Sequence, residues 1–195
     1  MIAKNLEPKQ FYREMSAFLD SDKKNLLIRG YFDQDKLEVV LYAMGRRDDI
    51  SKSVFVTGLL SRVPELFNDS LNQNIKVPKL ATKYELCGTT AEFVKQTQNM
   101  NDDFAFNTDL AVFYPVQSVL DTETSTVKFL SNLSHSMAKK NILITTNDYS
   151  DRAERLYNSM DEVLILDMSK VDDEHVETMK NITRNFKRQN MKLPY

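Results

Sequence analysis

Gly30 and Lys36 are the residues whose types and spacing most clearly suggest a chemistry. Gly30 lies at the end of the apolar run 26–28, and Lys36 opens the apolar stretch 36–44. A glycine at a strand end can bring backbone N–H groups close to a phosphate, and a lysine at the next helix adds a positive charge. The spacing therefore predicts a phosphate-binding loop over residues 29–36. The alternative is a tight turn followed by an ordinary surface lysine at a helix start.

The same loop departs from a working phosphate site at two positions. Phosphate-binding loops of this type read G-x-x-x-x-G-K-[ST] between a strand and a helix. Asp35 stands where the second glycine belongs, and Leu37 stands where the Ser or Thr belongs. The usual hydroxyl coordinates magnesium, and the leucine side chain cannot. The pattern thus keeps the glycine and the lysine but loses the parts that hold the metal and the close backbone approach.

Two carboxylates in the loop also disfavour an anionic ligand. Asp33 and Asp35 lie three residues and one residue before Lys36. A carboxylate and a phosphate about 4 Å apart, each with one negative charge, repel by about 4 kcal/mol at an effective dielectric near 20. That energy corresponds to roughly a thousandfold loss in affinity. We consider two interpretations: the carboxylates occupy the position of a lost phosphate, or they merely interact favourably with the helix N-terminus.

The other reactive side chains suggest no catalytic centre. His135 is interpreted as a solvent-facing or capping residue, and His175 as part of a solvated acidic helix start. Cys87 has no neighbouring basic residue to activate its thiol, so a buried thiol is expected rather than a nucleophile. Residues 145–148, Thr-Thr-Asn-Asp, suit either a ligand contact or a polar turn with a helix cap. No metal site is expected, because the histidines and the cysteine share no ligand spacing.

Composition sets the class of protein. The 195 residues contain 42% hydrophobic and 28% charged side chains, which favours one folded domain over a disordered chain. A net charge of −2 offers no overall attraction to nucleic acid or acidic membranes. One cysteine excludes an internal disulfide. No apolar run approaches the ~20 residues that cross a bilayer, and the polar N-terminus is unlike a signal peptide. We therefore expect a cytoplasmic protein without membrane insertion.

Short apolar runs alternate with helical patterns along the chain. The runs are nearly continuous, as in parallel strands covered on both faces; they are residues 26–28, 54–56, 110–116, 142–144 and 163–166. Helices are predicted between them, starting near 8, 36, 64, 124, 150 and 172, with a short capped helix at 89–94. The alternation predicts a three-layer α/β domain with a mainly parallel sheet of about five strands.

This order of elements resembles the RecA/KaiC-like branch of the P-loop NTPases over about residues 24–168. Residues 110–116, LAVFYPV, resemble the Walker B strand; 142–148, ILITTND, resemble the sensor strand; and 151–167 resemble the region that leads into a late strand. The resemblance implies a P-loop NTPase-like core within a single domain, 1–195. An N-terminal helix within 1–23 would precede the core, and a C-terminal helix and tail, 169–195, would follow it.

The segment that resembles the Walker B strand does not end in the carboxylate that this strand carries in the family. That strand ends in Tyr114, Pro115 and Val116, while Asp109 lies at its opposite end and Asp121 beyond it. Three parts of one catalytic machine are thus altered together. We expect a non-catalytic, pseudo-NTPase protein that binds no cofactor and serves as an interaction, regulatory or assembly subunit. The alternatives are a working NTPase or nucleotide-handling enzyme with a nonstandard loop, and a nucleic-acid-binding module.

A protein without a catalytic centre must act through its surface. Tyr31 and Phe32 are adjacent aromatic residues in a loop that is ordinarily small and polar, so either they seal the vacant pocket or one meets a partner. The last helix ends in the basic residues Arg184, Lys187 and Arg188. These cations complement the helix dipole, and they can also bind an acidic partner or nucleic acid. A protein partner or a homo-oligomer is expected, with nucleic acid as a further option.

Overall fold

The computed structural model describes residues 2–71, 74–96 and 104–195. Its strands are β1 (Lys4–Leu6), β2 (Asn25–Arg29), β3 (Lys52–Thr57), β4 (Lys83–Leu86), β5 (Thr89–Lys95), β6 (Leu110–Phe113), β7 (Lys140–Ile144) and β8 (Glu162–Leu166). Its α-helices are α1 (Pro8–Asp20), α2 (Asp33–Met44), α3 (Val63–Leu71), α4 (Glu123–Ser134) and α5 (Asp173–Arg188). Short 3-10 helices span Leu60–Arg62, Gln117–Leu120 and Asp151–Ser159.

All eight strands form one sheet in the order β1-β8-β2-β7-β6-β3-β5-β4. Every neighbouring pair is parallel except β4 and β5, which run antiparallel. The prediction of an α/β fold with a mainly parallel sheet is confirmed, but the expected number of about five strands is wrong. The five predicted strands form the centre of the sheet, and β1, β4 and β5 extend it at the edges.

Helices cover both faces of the sheet, because alternate residues of each central strand point to opposite sides. In β2, Leu26 and Ile28 join the cluster beneath α1, α2 and α3, whereas Leu27 joins the cluster beneath α4 and the later 3-10 helices. The same alternation separates Val112 from Phe113 in β6. Strands buried on both faces need continuous apolar runs, which explains why these strands were readable from the sequence.

Residues 89–95 correct one prediction. The sequence Thr89-x-x-Glu92 suggested a helix cap, but these residues form β5, which pairs in register with β3. Thr89, Ala91 and Phe93 are buried while the residues between them are partly exposed, so the segment follows the two-residue period of a strand. The capping box of this fold lies instead at Thr122 and Ser125, at the start of α4.

The last helix is attached to the domain less closely than its pattern predicted. Their spacing along the helix predicts that Val176, Met179, Ile182 and Phe186 share one buried face, yet all four are only half-buried. None of the residues of α5, all of which the structure describes, is fully buried. The helix therefore rests on the domain edge rather than completing its core.

The strand order creates a crevice at one end of the sheet. β2 lies between β7 and β8; the connection that leaves β2 leads to β3 on one side, and the connection that leaves β7 leads to β8 on the other. In open α/β sheets, ligands bind outside the carboxyl ends of the strands at such a point. Among the described residues, no helix has the length and apolar character needed to span a bilayer.

Candidate functional site

Gly30 starts the loop at the carboxyl end of β2, and its backbone conformation requires glycine. Its φ is +151°, and a Cβ at this position would lie 2.7 Å from the backbone oxygen of Leu166 at the end of β8. A side chain would therefore force the two neighbouring strand ends apart. In this structure the glycine allows two neighbouring strand ends to pack closely, whereas in a phosphate-binding loop a glycine lets backbone N–H groups approach the phosphate.

Lys36 is fully buried, so the alternative prediction of an ordinary surface lysine at a helix start is wrong. Its Nζ donates to the backbone oxygen of Gly30 at 2.5 Å and to Asp33 Oδ1 at 3.1 Å, and lies 3.5 Å from Thr145 Oγ1. Burial lowers the pKa of the amine, and the charge of Asp33 opposes that shift. All partners of the amine thus come from the chain itself.

Asp33 sits where the loop and the next strand end converge. Both of its carboxylate oxygens lie 3.1 Å from the backbone nitrogen of Asn147, which donates to them, and one also accepts from Lys36. A lysine amine together with a backbone N–H is the donor set that a phosphate oxygen would use. Of the two loop carboxylates, Asp33 is therefore the one that binds this pair of donors. Asp35 turns away toward α5.

Arg29 and Asp148 form a buried ion pair that the sequence reasoning missed. Arg29 Nε lies 2.7 Å from Asp148 Oδ2, and Nη2 lies 3.0 Å from Oδ1, with both side chains at most 1% exposed. Burial disfavours the guanidinium charge, but the hydrogen bonds and charge of Asp148 outweigh it and raise the pKa of Arg29. The available signal was an arginine ending an otherwise apolar strand, which demands a buried partner.

Tyrosine side chains close the crevice above this ion pair. The Tyr195 ring stacks on Tyr31 with centroids 4.5 Å apart, and the Arg29 guanidinium lies 4.9 Å from its centre. The Tyr195 hydroxyl donates to Asp148 Oδ2 at 3.0 Å, while the Tyr31 hydroxyl donates to the backbone oxygen of Tyr195. Burial raises the pKa of Tyr31 to about 12, so its hydroxyl stays protonated at neutral pH. Tyr31 therefore makes its main contacts within the chain, with Tyr195.

The strand expected to carry a metal-binding carboxylate ends in apolar groups. Tyr114 and Val116 follow β6 and are buried. Asp109 lies at the amino end of β6, where it accepts from the backbone nitrogens of Ser51 and Lys52. Within the described residues, no cluster of three His, Cys, Asp or Glu side chains has a geometry that could hold a metal ion.

Phe32 and His175 connect α2 to α5. Their ring centroids are 4.7 Å apart, and His175 places Nδ1 2.8 Å from Asp172 Oδ1 and Nε2 3.4 Å from Asp35. Phe32 is half-buried in this contact. The hydrogen bond to Asp172 is the main factor that raises the pKa of His175, and partial burial opposes it. His175 thus has a definite structural role that its acidic sequence surroundings did not reveal.

We expect the stability of the α5 attachment to fall as pH rises through the raised pKa of His175. A group with a raised folded pKa stabilises the fold fully below its unfolded pKa, about 6.5, and loses that contribution at higher pH. Amide exchange of α5 between pH 5.5 and 8.5 measures the effect, and His175→Gln should flatten the profile. An identical profile in the variant would contradict this role.

The basic side chains of α5 lie apart from the aromatic pair. Arg184, Lys187 and Arg188 are exposed and line a groove of about 750 Å³, together with apolar and polar side chains that include Val176 and Met179. Neither Tyr31 nor Phe32 lines this groove. The residues expected to bind a partner are therefore divided between a closed crevice and an open helix face.

Cys87 is half-buried, and burial raises the pKa of its thiol, so it lacks the character of a nucleophile.

Thr145 Oγ1 lies 3.1 Å from Asp148 Oδ2 and 3.2 Å from the backbone oxygen of Ile28, so the polar residues after β7 hold the crevice together.

In comparisons with known proteins, no family model, no curated protein and no solved structure matches this chain.

Proposed function

We propose that this protein is a non-catalytic, P-loop-like scaffold that acts by binding another macromolecule, as a regulatory or assembly subunit. The observation that carries the proposal is the carboxylate of Asp33 bound by Lys36 and by the backbone N–H of Asn147. An internal anion satisfies the donors that a nucleotide would need. A phosphate would have to displace a group that is covalently held in place, and it would meet that group's negative charge.

The strand order supports a P-loop-like origin. Taken from β2 onward, the parallel strands lie in the order β8-β2-β7-β6-β3, with the loop-bearing strand between the last two strands of the core. This arrangement is compatible with the RecA-like branch, and the loop, the lysine and α2 follow β2 as the resemblance implies. The three additional strands lie at the sheet edges, away from the crevice.

The side chains of the crevice are also already bound to one another, which supports a non-catalytic role. Tyr31 and Tyr195 fill its entrance, and Arg29 holds Asp148, the buried carboxylate at its base. An Asp already bound at both oxygens by a guanidinium has little capacity left for a metal ion. The remaining function available to such a domain is recognition through its surface.

We expect no binding of ATP or GTP in the presence of magnesium. Isothermal titration of the purified chain with either nucleotide, up to about 1 mM, should give no saturable heat. Lys36→Met preserves the volume of the side chain and tests its amine, and Lys128→Met, on an exposed lysine of α4, is the matched control. Micromolar binding that Lys36→Met abolishes and Lys128→Met preserves would establish the enzyme alternative instead.

The proposed interaction surface lies on α5. Arg184, Lys187 and Arg188 are exposed, whereas Tyr31 and Phe32 are partly buried by contacts within the chain. Exposed cations beside a half-exposed apolar stripe form a surface of the kind that partners recognise. We therefore assign partner binding to the helix, and a supporting role to the two aromatic residues.

A further inference from the structure

Half-buried apolar side chains and exposed charges lie side by side on α5. Val176, Met179, Ile182 and Phe186 remain half-buried, and among the described residues neither hydrophobic core includes them. Lys170, Arg184, Lys187 and Arg188 line or flank the groove beside the helix and make no ion pair with any described residue. A helix with a partly covered apolar stripe and unpaired charges is an unfinished packing surface.

The charges of α5 are arranged symmetrically about the middle of the helix. Asp173, Glu177, Arg184 and Arg188 are all exposed, at successive spacings of four, seven and four residues. At 3.6 residues per turn, these spacings place all four side chains on one stripe. The stripe reads acid, acid, base, base along the helix. A second α5 that runs antiparallel would therefore set each acid against a base.

We propose that α5 pairs antiparallel with the α5 of a second copy of this chain, across a two-fold axis near Lys180 and Asn181. Glu177 then faces Arg184 of the other copy, and Asp173 faces Arg188. The symmetry makes each of these pairs twice. On the flank of the stripe, the groove beside Val176 and Thr183 receives the same flank of the partner helix. This inference deepens the proposed assembly role by naming the partner.

The pairing accounts for more than the helix dipole does. The dipole favours acids in the first turn and bases in the last turn, and its effect fades within those turns. Glu177 and Arg184 lie in the interior of a helix of 16 residues, so the dipole explains them least. Among the residues that the structure describes, Glu177 forms an ion pair only with Lys180, at 3.5 Å, and such an exposed pair contributes little to stability.

Lys180 distinguishes a second copy from any acidic partner. It lines the groove and is exposed, and in the proposed dimer it lies beside the axis, where it meets the Lys180 of the other copy. Replacing it with glutamine removes a like-charge contact from the dimer. The same replacement removes an attractive charge from a complex with an acidic peptide or a nucleic acid, so the two kinds of partner predict opposite effects.

Sedimentation velocity of the full chain, up to about 0.5 mM, tests the proposal. We expect a concentration-dependent dimer that weakens with salt. Arg184→Glu should weaken it at least about tenfold, since each reversal acts at two symmetric contacts. Glu177→Arg combined with Arg184→Glu should restore it to within about threefold, and Lys180→Gln should strengthen it. Lys128→Glu, the same charge reversal on α4, is the control and should change nothing.

A monomer across the whole concentration range would overturn the proposal, as would a double reversal no better than the single ones. Salt-sensitive binding of a labelled oligonucleotide that Lys180→Gln weakens, with no dimer, would assign the face to nucleic acid and also overturn it. Thermal melts of each variant verify that α5 and the domain stay folded. Nucleotide titration is a separate readout, so the loss of the dimer and the failure of the non-catalytic assignment are distinguishable.

Discussion

Asp148→Ala should lower the free energy of unfolding by about 3–5 kcal/mol, the range found when one partner of a buried ion pair is removed. Arg29 is 1% exposed and would keep its charge without the one buried counter-ion that the described residues give it. The neighbouring Tyr157 hydroxyl, 2.5 Å from Arg29 Nη1, is a hydrogen-bond partner and not a carboxylate. Urea unfolding followed by circular dichroism measures the loss.

The double variant Arg29→Met with Asp148→Leu should recover most of that loss. It removes both charges and keeps apolar volume, and buried pairs replaced in this way are often neutral in their effect on stability. Asp121→Ala is the matched control, because Asp121 makes an exposed ion pair with Arg152 at 3.6 Å and should contribute less than about 1 kcal/mol. Equal losses for Asp148→Ala and Asp121→Ala would show that the buried pair has no special role.

Lys36→Ala should lower the free energy of unfolding by about 2–4 kcal/mol, through a lost methylene stem and an unpaired Asp33. The side chain is fully buried, and its removal leaves a cavity beneath the loop. A lysine that waits for a nucleotide behaves differently: its replacement removes binding and catalysis, with little loss of stability. The stability measurement therefore separates a structural lysine from a catalytic one without any assay of activity.

Lys36→Met provides the internal comparison, since it keeps most of the stem and removes only the amine. We expect it to cost less than Lys36→Ala. Asp33→Asn in the same background should reduce the remaining loss, because no half-buried carboxylate is then left without its counter-ion. Lys128→Ala on the surface of α4 should stay within about 0.5 kcal/mol. If Lys36→Ala lowered the free energy of unfolding by no more than Lys128→Ala does, the buried, structural role of Lys36 would be contradicted.

The central architecture could be predicted from the sequence because buried parallel strands leave a local signature. The runs at 26–28, 54–56 and 142–144 are apolar without alternation, and each became a strand of the sheet centre. The edge strands lacked this signature. β1 has three residues, and β5 was mistaken for a helix start because a capping pattern depends on four residues only. The pairing that selects the strand comes from β3, more than thirty residues earlier.

The loop was also partly readable. The glycine, the lysine and the two carboxylates of the loop were visible in the sequence as residue types at short spacings, beside a strand and a helix. Which of the two carboxylates binds Lys36 could not be predicted. Asp33 and Asp35 differ by two positions, and on a helix start that difference turns one toward the crevice and the other toward His175.

By itself, the sequence determined the α/β class and the position of the loop that follows β2, since these depend on residue type and short spacing. Tertiary structure decided that Lys36 is buried, that Arg29 pairs with Asp148 across 119 positions, and that Tyr195 covers Tyr31 across 164. Such contacts depend on which strand ends become neighbours in the sheet. Strand order is set by the packing of the whole chain, so it cannot be predicted from local sequence patterns.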